Sequence, residues 1–142
     1  MRDIDELTGL VLDLALDLHR DLGPGLLESV YETVLAAELA RLGISAIRQH
    51  AVDIVYRGLS FPNAFRIDVL VDDRLILEIK SVERLTPLHA KQLLTYLRLT
   101  QQPVGLLINF GGPVLKDNVR RLVNNHTPSA SPRLRAHQPT GA

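Results

Sequence analysis

The chain has 142 residues, 46% of them apolar and 23% charged, which is the size and mix of one globular domain with a hydrophobic core and excludes wholesale disorder, collagen and coiled coil. It has no cysteine, so a disulfide framework, a thiolate nucleophile and a Cys-ligated zinc are excluded, and any metal must be held by oxygen or imidazole. Sixteen Lys and Arg balance sixteen Asp and Glu; with no global basic field, a nucleic-acid ligand would have to be met by a local patch or by bound cations.

Charges occupy Met1 to Glu6, where a signal peptide needs an apolar run, and no stretch approaches the roughly 20 apolar residues of a membrane span. The expectation is a cytoplasmic protein without a membrane partner. Ile4, Leu7, Leu10, Val11, Leu14 and Leu18 keep the helical period up to Gly23-Pro24-Gly25, predicting a first helix. Leu27, Val30, Tyr31, Val34, Leu35 and Leu39 repeat it up to Gly43, a residue suited to the left-handed position after a helix.

The period then drops to two. Ile44, Ala46, Val52, Ile54 and Tyr56, then Phe65, Ile67, Val69 and Val71, then Leu75, Leu77 and Ile79 predict three strands, antiparallel because their connections are short. Thr86-Pro87 opens a third helix, running to about Thr100 and stopping before Pro103. Val104 to Phe110 is a short apolar strand broken by Gly111-Gly112-Pro113. Residues 115–124 suit either a helix, through Val119, Leu122 and Val123, or a short edge strand. The ordered domain is expected over residues 1–125, with a disordered tail from His126 onward, where Pro, Ser, Thr and Gly dominate.

The segment from Phe65 to Lys80 carries the chemistry. Phe65, Ile67, Val69 and Val71 alternate on one strand and Leu75, Leu77 and Ile79 on the next. If both sets share a face, directly paired residues must have numbers summing to an even value, which a three-residue loop at Asp72-Asp73-Arg74 provides and a two-residue loop does not. Val71 then pairs with Leu75, Asp68 lies opposite Glu78 and Arg66 opposite Lys80, on the other face. Opposed carboxylates repel unless neutralised. A divalent cation is the natural neutraliser, since magnesium or manganese accepts two carboxylates plus water and substrate oxygens. Lys80 would point into the same site, where an ammonium orients an attacking water or stabilises charge on a phosphate. Alternating Asp, Glu and Lys on a hairpin is ordinarily just a solvated face. Here Leu70 and Ile76 share that face, so it is covered, and covered carboxylates need partners.

Asp68 followed by Glu78-Ile79-Lys80, after a helix that bears a glutamate, resembles the PD-(D/E)xK nuclease superfamily. Gly25-Leu26-Leu27-Glu28-Ser29-Val30-Tyr31, together with Leu107-Ile108-Asn109-Phe110-Gly111, resembles the GxxExxY family assigned to that fold. The resemblance spans about residues 5–125. It implies a restriction-endonuclease-like α/β (α+β) core, a central mixed sheet with an antiparallel hairpin flanked by helices. It also implies that Glu28, Asp68 and Glu78 hold Mg2+ or Mn2+ and that Lys80 is the catalytic lysine. Gln92 and Tyr96 resemble the Q-x-x-x-Y motif of the exonuclease branch, four residues apart on one helical face, and His19 resembles a histidine found upstream of the glutamate in that branch. Ile67 stands where many members have proline. Glu32, one turn after Glu28, is the other candidate for the helical ligand. Tyr31 reads as core, Gly25 as a turn residue, and His50, His89, His126 and His137 as surface residues.

These readings converge on a metal-dependent nuclease, acting on DNA rather than RNA, with a homodimer as one way for so short a chain to clamp a duplex. The alternative is a nucleic-acid-binding or protein-interaction module that keeps the fold without turnover. In a third reading, a metal-free structural protein, Arg66 or Lys80 alone would hold the acidic pair.

Overall fold

A computed structural model describes residues 2–124. The tail expected to be disordered lies outside the described residues. Helix α1 spans Ile4–Leu22; the Asp3 side chain caps it by accepting the Glu6 amide at 2.8 Å, and Gly23, at φ 77°, ends it. Helix α2 spans Glu28–Arg41 and is followed by Gly43, also at φ 77°. Strands β1 (Ala46–Tyr56), β2 (Leu59–Val71) and β3 (Leu75–Lys80) come next, then helix α3 (Pro87–Thr100), strand β4 (Val104–Asn109), a 3-10 turn (Leu115–Asn118) and strand β5 (Val119–Val123). Of the two readings of the last segment the edge strand holds: Val119, Leu122 and Val123, which suited a helix, lie in β5, and only the 3-10 turn before it is helical.

The five strands form one sheet in the order β1-β2-β3-β4-β5. Every neighbouring pair is antiparallel except β3 and β4, which run parallel. A parallel pair needs a long crossover, and α3 supplies it. Strands and helices sort onto two faces. Against α1 and α2 lie Val69, Val71, Leu75, Leu77, Ile79, Leu106 and Ile108. Against α3 lie Leu70, Ile76 and Leu107, with Leu93 and Leu97 from the helix. Each such fully buried aliphatic stabilises the fold by about 1.5–3 kcal/mol relative to exposure. Gly105 permits the second layer to close, since a Cβ there would sit 3.0 Å from the Leu93 side chain.

The hairpin register is the one the apolar pattern demands: Val71 pairs with Leu75, Leu70 with Ile76 and Val69 with Leu77. The pattern fails further along. Phe65 and Ile67, expected on the same face as Val69 and Val71, pack on the α3 side instead. The change of face coincides with a gap in the β1–β2 ladder. Arg48 pairs with Val69 and His50 with Ile67, but no Gln49–Asp68 pair lies between them, and Gln49 has φ +51°. The left-handed Gln49 interrupts the pleat of β1 opposite Asp68, and the strands resume the same register beyond it, shifting only between Val52 and Ile54.

Candidate active site

The break in the pleat is where the acidic residues meet. The β2–β3 ladder stops at Val69–Leu77, so Asp68 and Glu78 do not form the backbone pair expected from the register. The Ile79 amide, which in a continued ladder would face Ile67, donates instead to Asp68 Oδ2 at 2.8 Å. Asp68 therefore occupies the gap between the parting strands. Glu78 follows Leu77 on β3 and is buried at 5% exposure, with Oε1 wholly enclosed and without a hydrogen-bond partner. Burial pushes its carboxyl up to about 8, and the neighbouring Asp68 charge adds to the shift while Lys80 opposes it. Burial likewise raises Asp68, with the Ile79 amide and Lys80 opposing and Glu32 and Glu28 adding. The two carboxylates thus feel one another as anticipated, through a different backbone arrangement.

The first turn of α2 closes one wall. Glu28, at its start, accepts the Ser81 amide at 3.3 Å, and Ser81 Oγ donates to the Leu26 carbonyl at 2.5 Å. Tyr31 fixes that turn from below. Its hydroxyl donates to the Gly23 carbonyl at 2.5 Å and accepts the Leu26 amide at 3.1 Å, while its ring stacks on Phe110 at 4.3 Å. Tyr31 is fully buried and Gly25 has φ +95°, so both take the structural parts expected of them. An open cavity of about 770 Å³ lies over this wall, lined by Glu28, Glu32, Arg48, Gln49, Asp68 and Ser81 among others.

Arg48 and Gln49 are neighbours of the acidic residues that the motif reading missed. Arg48 binds Glu32 through Nε and the terminal amine, both at 2.9 Å, and Gln49 donates to the other Glu32 oxygen at 2.9 Å. Glu32 is buried at 4% exposure with both oxygens engaged, whereas Glu28 is exposed to the cavity. The signal was present: Arg48-Gln49-His50 interrupts the alternation of the first strand with three polar residues in a row.

Behind the site, Asn109 is fully buried and uses all of its amide. Its Oδ1 accepts from Val82 and Gly111 at 2.9 and 3.0 Å, and its Nδ2 donates to the Val82 carbonyl at 2.9 Å and to Asn118 at 3.0 Å. This pins the loop leaving Lys80. Gly111 fits against it only as glycine, because a Cβ would come within 2.3 Å of the Val82 carbonyl oxygen.

Lys80 ends β3, half-buried. Tyr96 stacks on Phe65 at 4.1 Å, and its hydroxyl is raised by burial first and then by the charges of Glu78 and Asp68, which places it at the edge of the acidic pair. Gln92, one turn earlier on α3, is exposed and makes no hydrogen bond to the carboxylates. His19 is engaged elsewhere, its Nε2 donating to the Gly112 carbonyl at 2.9 Å.

Among the described residues no three His, Asp or Glu side chains are gathered closely enough to hold an ion by themselves. The donor chemistry nonetheless suits a hard divalent cation. Asp68 and Glu78 are oxygen ligands, one Glu78 oxygen is enclosed and unpartnered, and magnesium keeps several waters when bound through one or two carboxylates.

A mixed sheet in which an antiparallel hairpin delivers an Asp and a Glu-x-Lys strand, flanked by helices on both faces, defines the restriction-endonuclease-like α+β class. The chain belongs to the PD-(D/E)XK nuclease superfamily, whose family model matches residues 5–122. No curated protein and no solved structure matches it. Among the described residues no helix is long and apolar enough to cross a membrane.

Proposed function

We propose that this protein is a divalent-metal-dependent phosphodiesterase that cleaves nucleic acid, DNA rather than RNA, and that within its superfamily it is of the GxxExxY type. The observation that carries the reading is the enclosed, unpartnered oxygen of Glu78 beside Asp68 and Lys80. A buried carboxylate so placed is destabilising without a cation. Asp68 and Glu78 would be the principal ligands for Mg2+ or Mn2+, and Glu28, held at the cavity wall by the Ser81 amide, would complete the set.

A bound divalent ion would supply Lewis-acid activation of water and of a phosphoryl oxygen. Lys80 orients the attacking water and offsets charge on the phosphate. The Ile79 amide fixes Asp68 so that its remaining oxygen faces the cavity rim. Tyr96, and Gln92 one turn before it, border the substrate side of the pair. DNA and RNA are incubated with the protein in magnesium or manganese beside Glu78→Ala and Lys80→Ala. The wild type is expected to cut DNA and neither variant to do so. Manganese binding without hydrolysis by the wild type would instead identify a binding module, and cutting that survives both substitutions would remove these residues from the mechanism.

A further inference from the structure

We propose that the outer part of the β1–β2 hairpin is an arm that enters the groove of a duplex nucleic acid, gripping the polymer whose cleavage is proposed above; the inference rests on that reading for its partner. Strand β3 pairs with β2 only at Val69 to Val71. Beyond the Phe65–Tyr96 stack, the two strands pair with one another alone, through Ile54–Phe61, Val55–Ser60 and Tyr56–Leu59. A two-stranded ribbon standing by itself is marginally stable in water, so this one is suited to finish its packing on a partner.

Its surface says which partner. The pairing puts Ile54, Tyr56, Leu59 and Phe61 on one face of the ribbon. Tyr56, Leu59 and Phe61 are exposed at 54%, 62% and 47%. The tip is the two-residue turn Arg57-Gly58, at φ 51° and 80°. Such a turn favours Asn-Gly, and arginine there has the guanidinium 5.1 Å from the Tyr56 ring. A cation is thus presented at the tip at some backbone cost. Arg66 is exposed on the same ribbon, where the one acidic side chain, Asp53, is occupied by the Asn63 amide at 2.8 Å. Helix α1, by contrast, carries Asp5, Glu6, Asp13, Asp17 and Asp21 against Arg20. In a chain of zero net charge the ribbon is thus net positive and α1 net negative, so a polyanion meets the ribbon more favourably than the α1 face.

Dimensions agree. From Asp68 to Phe61 the strand runs roughly 20 Å, longer than the roughly 12 Å width of a B-DNA major groove, which admits a two-stranded ribbon. Exposed aromatic and leucine side chains beside arginine are what groove-binding arms present to base edges and steps. Because β2 is continuous from the arm to Asp68, seating the arm would hold a phosphodiester near the acidic pair.

The test uses the full chain, with Arg57→Asn and a Tyr56→Thr/Phe61→Thr double variant, and Leu16→Gln on α1 as a surface control. Arg57→Asn improves the turn, so a loss there is not misfolding. Binding to a 20-base-pair DNA duplex is read by fluorescence anisotropy with calcium in place of magnesium, and hydrolysis of a small chromogenic thymidine phosphodiester is read in manganese. The double variant is expected to bind the duplex at least tenfold more weakly. Arg57→Asn should reduce the slope of log affinity against log salt by about one. Leu16→Gln should match the wild type, and small-substrate hydrolysis should be the same in all. Unchanged duplex affinity in both arm variants overturns the proposal. So does a wild-type dimer in sedimentation that the double variant converts to monomer without loss of duplex affinity, which would make a second copy the occupant. Absence of small-substrate and polymer hydrolysis, with arm-dependent duplex binding intact, overturns the catalytic reading and leaves the arm standing.

Discussion

Asp68 accepts the backbone amide of Ile79 at 2.8 Å, and this one contact gives the carboxylate two duties. It ends the β2–β3 ladder by satisfying an amide the next β2 carbonyl would otherwise take, and it holds a charge beside Glu78. The duties separate by substitution. Asp68→Asn keeps an acceptor for Ile79 and removes the charge, so the fold should be as stable as the wild type or slightly more so, while metal affinity and cleavage are lost. Asp68→Ala also orphans the amide and should cost about 1–3 kcal/mol. Urea unfolding of the two variants in chelator, beside calorimetric manganese titration, checks this. Equal destabilisation by both substitutions would remove the amide contact as the cause.

Glu78 makes the pH dependence of stability predictable. Its carboxyl is raised from 4.5 to about 8 in the folded chain, so the folded state holds a proton that the unfolded state releases. Below pH 4.5 both states are protonated and there is no penalty. From there stability falls as pH rises and levels off above about 8, a loss on the order of a few kcal/mol. In chelator, Glu78→Gln should therefore match the wild type near pH 4 and melt at a higher temperature by pH 8. Adding magnesium or manganese should raise the wild-type melting temperature and leave the variant unmoved. A temperature gap independent of pH would show that Glu78 is not held neutral by burial.

Asn109 should prove a stability residue with a local readout. Leucine there is close in volume but removes four hydrogen bonds and orphans the Val82 amide and carbonyl. The expected cost is roughly 3 kcal/mol, with hydrogen exchange at Val82 and Ser81 accelerated more than in α1. Thermal melts and exchange mass spectrometry read both effects. Exchange accelerated equally throughout would mean that Asn109 does not specifically pin this loop.

The periodic elements were legible in the sequence because each repeats one geometry. Most helix boundaries carry a signal, Asp3 and Gly23 for α1, Gly43 after α2 and Thr86-Pro87 before α3, and the hairpin register followed from parity alone. The departure came around Asp68, where β2 loses its pairing with both neighbours. Nothing in the local pattern says that Gln49 will adopt φ +51° opposite it, that Phe65 and Ile67 will pack on the other layer, or that a side-chain-to-amide contact will stand in place of the expected Asp68–Glu78 pair. Glu78, Lys80 and Tyr96 were singled out through motifs. Arg48 and Gln49 were not, because their role depends on reaching Glu32 across a gap of sixteen or more residues.

Those partners decide between the two glutamates of α2. Arg48 and Gln49 occupy both oxygens of Glu32 at 2.9 Å, and the carboxylate is buried; a metal could claim it only by displacing charge-assisted hydrogen bonds. Glu28 gives up only a 3.3 Å contact with the Ser81 amide and already faces the cavity. Glu28→Gln should thus weaken manganese affinity by about tenfold with little change in melting temperature. Arg48→Ala should do the reverse, destabilising by about 3–5 kcal/mol because it leaves a buried carboxylate without its cation. The double variant Glu32→Gln/Arg48→Ala should recover much of that loss, since the amide that replaces the charge still bonds to Gln49. If Glu32→Gln alone abolishes manganese binding while Glu28→Gln does not, the helical ligand is Glu32, and its contacts with Arg48 and Gln49 hold it for release rather than away from the ion.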